Sequence, residues 1–383
     1  MILHIKKIIN SLWMISGKRT MMENFLSLSV LQAANYILPL ITIPYLVRVL
    51  GPEKFGLVAF AQAFVSYFMI LTDYSFDLSA TKKISIYRDN QNKLSEIFCS
   101  VIIIKFCLSA ISFMVLSVLI AAIPKFRVDS TVYLFTFGIV IGNLLFPLWF
   151  FKGMEKMKFI TLLNILARTI FTISILIFIR EQKNYIYVPL INSLGLISAG
   201  LLGMWFSKNY FKVRFMMPKF DSIIEQLRDG WQIFLATLVT SLYSISPTFV
   251  LGIFTNNTIV GYYSAAEKII TPLISFKATV SQTIFPRIVK LADESKLKTI
   301  RFVCSLSFVT GLIILTGCSI IFLFAEQITI IIFGSQFYQS IPVIKVLSFI
   351  PFVLFINNIL GTQIMIPFNL LSERTKVLAA SGL

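Results

Sequence analysis

Ten apolar runs, each close to the roughly 20 residues a helix needs to cross about 30 Å of hydrocarbon, dominate this sequence. They lie at roughly 25–47, 57–79, 97–120, 131–151, 159–179, 187–206, 231–254, 261–284, 301–324 and 341–361. Lipid supplies no hydrogen-bond partners, so segments of this length and composition fold as helices that satisfy their own backbone. The rest of the composition agrees: 57 % of the 383 residues are hydrophobic and 13 % are charged, about half the charged share of a soluble domain. A soluble enzyme, a disordered regulator and a secreted disulfide scaffold are excluded. The expected class is an all-α polytopic membrane protein.

The net charge of +17 must then be read against topology. With the N-terminus placed inside and the spans alternating, the inside segments (1–24, 82–96, 152–158, 207–230, 285–301, 362–376) carry 23 Lys/Arg and the opposite loops carry 7. That is the positive-inside asymmetry, so most of the excess charge sets orientation and no nucleic-acid partner is implied. The basic segment 1–24, with Lys6, Lys7, Lys18 and Arg19, reads as an uncleaved cytoplasmic tail.

Residues 25–206 form a first group of six spans, 207–230 a central basic loop, and 231–383 a second group. The run Phe55-Gly56-Leu57-Val58-Ala59-Phe60-Ala61 and the run Val260-Gly261-Tyr262-Tyr263-Ser264-Ala265-Ala266 stand at the same topological place in each group. This suggests two parallel repeats related by an axis along the membrane normal. An eleventh span is expected to begin near Val377, where the sequence soon stops at Leu383; the second bundle reads as incomplete, a truncated copy.

The chemistry is sparse. His4 is the single histidine, which disfavours histidine acid–base catalysis and histidine metal sites. Cys99, Cys107, Cys304 and Cys318 lie in or beside apolar runs without CxxC spacing and read as small buried hydrophobes. No GxxxxGK[ST] phosphate loop occurs.

Charges inside spans carry more information, because an unpaired cation at the bilayer centre costs at least about 2.5–3.5 kcal/mol. Arg168 falls near the middle of the fifth span and Lys105 at a similar depth in the third. Lys277 lies nearer the inner end of the eighth, and Lys345 reads as interfacial. Together Arg168, Lys105 and Lys277 point to a cationic, hydrated lumen for an anionic substrate. Snorkelling to the interface is the alternative for Lys105 and Lys277, and a structural ion pair is the alternative for Arg168. Arg48, at the first outer turn, either receives an anion at the gate or anchors the interface. Asp73 and Asp77 stand at i and i+4, one face of a continuous helix. With Glu267 they serve either ion coupling, to a proton or sodium gradient, or charge pairing with nearby lysines. Gln32, Asn35, Tyr36 and Pro39 share a face of the first span, and Pro39, Pro44, Pro247 and Pro272 are either structural kinks or bending points for a central cavity.

The run Leu31–Leu40, continuing Pro44-Tyr45-Leu46-Val47-Arg48-Val49-Leu50-Gly51-Pro52-Glu53-Lys54-Phe55-Gly56, resembles the first hairpin of Wzx-type O-antigen flippases. So do Asp73-Tyr74-Ser75-Phe76 with Ser79-Ala80-Thr81-Lys82, where the family usually has glycine at the Ser75 position, and Pro147-Leu148-Trp149-Phe150-Phe151-Lys152-Gly153-Met154-Glu155. The resemblance covers essentially the whole chain. It implies the multidrug/oligosaccharidyl-lipid/polysaccharide exporter superfamily and two six-helix bundles working by alternating access. It also implies an undecaprenyl-diphosphate-linked oligosaccharide substrate, no cofactor, and a place in the bacterial cytoplasmic membrane beside other polysaccharide assembly proteins. Arg168, Lys105, Arg48 and Lys277 are the expected substrate-binding cations. The rival readings are a cation-coupled drug exporter of the same superfamily, a membrane-embedded polysaccharide polymerase or ligase, and a nonfunctional truncated copy.

Overall fold

A computed structural model describes residues 2–368, 370 and 373, with side chains described from residue 23 onward except at 25, 240, 242–246, 282, 286 and 293. The eleventh span expected near Val377, and the side chains of His4 and the basic tail, lie outside the described residues. No strand occurs among the described residues, and the elements are helices throughout.

Helix α1 (Ile2–Asp73) carries both of the first two spans. Its one non-helical residue is Gly51, at φ 69° and ψ 172°, a conformation a Cβ disfavours. Pro52 follows and donates no backbone hydrogen bond, so the first hairpin turns there. The second span was expected to run to residue 79; it stops at Asp73, because Tyr74 and Ser75 adopt φ 45° and 59°. Ser75 thus sits in the left-handed region that glycine favours, which accounts for the glycine at this place in the resembled family. A separate helix α2 (Phe76–Tyr87) then starts in a new direction.

Asn90 caps α3 (Gln91–Ala122), its side chain accepting from Lys93 N at 3.1 Å. A short α4 (Pro124–Val128) occupies the expected loop 121–130. The fourth span is two helices, α5 (Ser130–Leu145) and α6 (Leu148–Gly153), because Pro147 interrupts the ladder. Next come α7 (Met157–Phe178), a 3₁₀ turn Gln182–Ile186, and α8 (Tyr187–Asn209). The expected central loop is non-helical only over 210–219, since α9 (Phe220–Phe254) begins inside it. The chain continues through α10 (Asn257–Glu294), α11 (Lys296–Leu323), α12 (Ala325–Ile332) and a 3₁₀ turn Ser335–Ser340. The tenth span is broken into α13 (Ile341–Leu347), α14 (Ile350–Asn358) and a π-helical turn Ile359–Ile364.

Seven described stretches are long and apolar enough to cross a membrane. One of them, Leu26–Tyr87, has 62 residues and contains the Gly51 turn, so it accommodates two crossings. The seventh and eighth expected spans lie in α9 and α10. Cys99 and Cys318 are buried, but Cys107 and Cys304 are exposed, contrary to expectation: the outward face of a membrane helix is covered by lipid and need not be covered by protein.

Contacts group the chain into Met1–Val260 and Gly261–Leu383. In the first unit, α5 and α8 pack with backbones in close approach. A Cβ on Gly142 would meet Leu196 Cβ at 2.6 Å, one on Gly138 would meet Ser193 Cβ at 2.6 Å, and one on Gly200 would meet Leu145 Cβ at 2.6 Å. Gly138 and Gly142 form a GxxxG pair, which lets membrane helices gain dispersion contacts that bulkier residues prevent. Ser193 Oγ donates to Phe135 O at 2.6 Å across the same seam.

Helix α9, which the sequence reading assigns to the second half, packs along the first unit. The Tyr74 ring stacks on Phe234 at 4.7 Å, Tyr74 OH donates to Leu227 O at 3.1 Å, and Ser75 Oγ donates to Thr237 Oγ1 at 2.9 Å. Lys83 bridges Glu225 and Asp229, both at 2.7 Å. Near its other end Phe249 stacks on Phe60 and Phe64, and Lys125 Nζ donates to Gly252 O, Ile253 O and Thr255 O. In the second unit, Ile314, Cys318 and Phe355 pack together, and Gln363 Nε2 donates to Ser281 O and Oγ at 3.2 and 2.7 Å.

Gly142→Ala is expected to force α5 and α8 apart and to cost about 1–3 kcal/mol, the usual penalty of overpacking. The check is the thermal unfolding midpoint of the purified protein in detergent; an unchanged midpoint would refute the close approach.

Candidate functional site

Three hydrogen bonds fix how α7 lies against α1. Met157 N donates to Asn24 Oδ1 at 3.2 Å, Thr161 Oγ1 donates to Ser27 O at 2.9 Å, and at the far end Tyr45 OH donates to Ile179 O at 2.7 Å. The last two join residues 134 apart in sequence, so the helices run parallel without slipping. Arg168 is therefore level with Ala34 and Asn35. It stands midway along the 22-residue α7, about 15 Å from either end at 1.5 Å per residue. Leu162, Leu166, Ile170, Ile173 and Ile177 form the exposed apolar face of this helix. Arg168 lies on the opposite face, with Thr161 and Thr172.

No described residue makes a hydrogen bond or ion pair with Arg168, whose side chain is exposed. At the same level, Asn35 Oδ1 is buried without a hydrogen-bond partner. A guanidinium here has five N–H donors and no acceptor among the described residues, in a place where hydrocarbon would penalise it heavily. Such a group requires water or an anion.

Lys105 is different. It is 2 % exposed, and its Nζ donates to Asp73 Oδ1 at 2.9 Å, Asn143 O at 3.1 Å and Asn143 Oδ1 at 3.1 Å. Asn143 Nδ2 in turn donates to Asp73 Oδ2 at 3.2 Å. All three ammonium donors are used, and both carboxylate oxygens are engaged. The structure thus places Lys105 in an ion pair and leaves it no donor for a ligand. Asn143 had no signal in the sequence beyond being a polar residue inside an apolar run.

Asp73 and Asp77 do not share a helix face, contrary to expectation, because the left-handed Tyr74–Ser75 turn lies between them. Asp77 accepts from Lys152 Nζ at 2.7 and 2.8 Å. Glu267, in α10, has no lysine or arginine partner within ion-pair distance among the described residues. Arg48 is exposed three residues before the Gly51 turn. Beside that turn Lys54 pairs with Glu53 at 3.0 Å and lies 4.9 Å over the Tyr185 ring.

In the second unit Lys277 is half-buried and lines a cavity of about 20 Å³ with Ser281, Ser307, Thr310, Asn358 and Gln363. That is room for about one water. Lys345 lies 5.9 Å over the Phe322 ring. Pro39 and Pro44 lie inside α1 with helical backbone through both, Pro247 lies inside α9, and Pro272 lies within α10.

Comparison with known proteins bears on the family and the fold. Residues 21–292 match the family described as Polysaccharide biosynthesis protein. A protein of Escherichia coli K12 named "Putative O-antigen transporter" is 31 % identical over 375 residues, covering 96 % of this chain and 89 % of that protein. A protein of the same name from Shigella dysenteriae is 26 % identical over 357 residues, covering 91 % and 86 %. Among solved structures, the inward-facing conformation of a multidrug resistance MATE family transporter of the MOP superfamily superposes with a TM-score of 0.66 at 12 % identity, covering 89 % of this chain and 84 % of that one. At that identity the likeness establishes the fold. The apolar helices, the fold and the relatives together make this chain a multi-pass membrane transporter that belongs to the Polysaccharide biosynthesis protein family.

Proposed function

We propose that the chain is a flippase for undecaprenyl-diphosphate-linked oligosaccharide repeat units, of O-antigen or a similar surface polysaccharide. It moves them by alternating access from the cytoplasmic to the periplasmic leaflet of the bacterial inner membrane, with its own N-terminus cytoplasmic. The observation that carries this reading is Arg168, a guanidinium at mid-span without a partner among the described residues, on the face of α7 turned away from its exposed apolar side. A lipid-linked diphosphate presents what such a group lacks: oxygen acceptors that arginine holds in bidentate fashion. Sugars cannot cross bare hydrocarbon without losing their hydrogen bonds, so the head needs a polar passage while the polyprenyl tail stays in lipid. The names of the two relatives and the 23-to-7 charge asymmetry support the substrate class and the orientation. Of the three candidate coupling carboxylates, Asp73 and Asp77 are held by lysines, which leaves Glu267 for a proton or sodium ion.

Deleting the gene is expected to accumulate lipid-linked repeat units at the inner leaflet, and the wild-type chain restores export. Arg168→Ala is expected to cut surface polysaccharide at least tenfold at normal membrane abundance. Arg168→Lys should recover only part, because an ammonium is a point charge without the planar fork. Full complementation by the alanine variant would overturn the role of Arg168.

The Lys105 cluster should respond in stability. Lys105 is enclosed, whereas the Asp73 side chain is 38 % exposed, so the two halves of the pair are not equivalent. Asp73→Ala strands a buried ammonium and is expected to cost about 3–5 kcal/mol. Lys105→Met leaves a carboxylate that still reaches solvent and should cost at most about 1 kcal/mol. Membrane abundance and the unfolding midpoint check the order, and equal effects would contradict it.

A further inference from the structure

The first unit holds a cavity of about 220 Å³ lined by Gln62, Val65, Ser66, Met69, Ile139 and Asn192. It is large against the 10–15 Å³ that a single water requires. Gln62, Ser66 and Met69 are spaced i, i+4 and i+7 along α1, one face of a helix, while Ile139 comes from α5 and Asn192 from α8. The lining contains no charged residue. Ser66 Oγ donates to Gln62 O at 2.7 Å, which leaves its lone pairs for a ligand donor. The carboxamides of Gln62 and Asn192 make no side-chain hydrogen bond among the described residues.

Both residues are half-buried, so their amides reach the open space of the cavity, where water or a polar ligand completes their hydrogen bonds. Each amide offers two N–H donors and one carbonyl acceptor. A neutral, donor-and-acceptor lining suits neither a phosphate, which needs cations, nor a metal ion, which needs carboxylates. It suits a ligand that alternates donors and acceptors without charge, namely the hydroxyl and acetamido groups of a sugar ring.

We infer that Gln62, Ser66 and Asn192 form a sugar subsite, which rests on the flippase reading above and adds to it a place for the first sugar of the repeat unit. Depth agrees with the covalent order of such a substrate. Gln62 lies eleven residues past Gly51, about 16 Å from the turn, and Arg168 is level with Ala34, about 25 Å from it. The subsite is thus displaced from Arg168 by roughly 9 Å along the helices. A diphosphate held at Arg168 would extend its attached sugar toward the Gly51 end.

The test uses the full chain in nanodiscs and two probes, undecaprenyl diphosphate and the same lipid bearing one N-acetylglucosamine. Wild type is expected to bind the sugar-bearing probe about thirtyfold more tightly, about 2 kcal/mol, the worth of two hydrogen bonds. Gln62→Leu/Asn192→Leu should erase that preference while binding the bare lipid as wild type does, which also certifies its fold. Asn192→Val, closer in size, serves as a second variant and should lose about half of the preference in free-energy terms. Equal binding of both probes by wild type would overturn the subsite and assign the cavity to water, and so would variants that keep the preference. Binding of neither probe by wild type would instead remove the flippase reading on which the inference rests.

Discussion

Charge in hydrocarbon must be paired or hydrated, and this chain meets that demand differently at each of its intramembrane cations. Lys105 is fully paired: three donors meet Asp73 and Asn143, and the ion pair is closed on both sides. The pairing has a consequence for the fold. Asp73 is the last residue of α1, so the helix ends at the residue that neutralises Lys105 of α3. The left-handed residues Tyr74 and Ser75 then redirect the chain toward Lys152, the partner of Asp77. One buried lysine thereby ties together the end of the second span, the middle of the third and, through Asn143, the interrupted fourth.

The second demand is that of the backbone. In a bilayer, every interruption of a helix frees carbonyl and amide groups that need other partners. The breaks at Gly51, at Tyr74–Ser75 and at Phe146–Pro147 are accordingly local and resatisfied: Leu78 N and Ser79 N donate to Ser75 O, and Phe146 N donates to Gly142 O and Asn143 O. Several hydroxyls follow the same rule, whereas those of Thr72, Ser112 and Ser264 are buried without a partner. Ser66, Thr81, Thr136, Thr161 and Ser193 each donate to a carbonyl, in their own helix or its neighbour. The carboxamides of Gln62 and Asn192 and the guanidinium of Arg168 make no side-chain hydrogen bond among the described residues, and they are groups that a ligand can engage.

What could be read in the sequence follows from which signals are local. Apolar length is local, so the ten expected spans within the described residues fall on helices, although breaks at Tyr74–Ser75, at Phe146–Pro147 and inside the tenth divide three of them. The placement of Arg168 at mid-span is also local, because it needs only the ends of α7. The Asp73–Asp77 spacing misled because a helical period assumes an unbroken helix, and nothing in a serine announces φ 59°. The lysine partners were legible as types and not as pairs: Asn143 is 38 residues from Lys105 in sequence and meets it only in the fold. Likewise Gln62 and Asn192 belong to separate apolar runs, and only the packing of α1, α5 and α8 brings them to one cavity. Sequence grouping puts α9 with the second half, while Tyr74, Lys83 and Lys125 show what it packs against.

A transporter also has to let go. A site of several converging cations would hold a diphosphate tightly and turn over slowly, and passage through a membrane requires binding strong enough to enter and weak enough to leave. The distribution of charge in this chain suits that requirement. Lys105 is neutralised by Asp73, Lys345 rests on an aromatic ring, and Lys277 faces a space for about one water. That leaves Arg168 as the mid-span cation of the first unit with unused donors. On the proposed function, a single guanidinium supplies the attraction for the anionic head. Neutral amides add discrimination through hydrogen bonds worth near 1 kcal/mol apiece, and specificity is gained without the deep energy well that a second free cation would create.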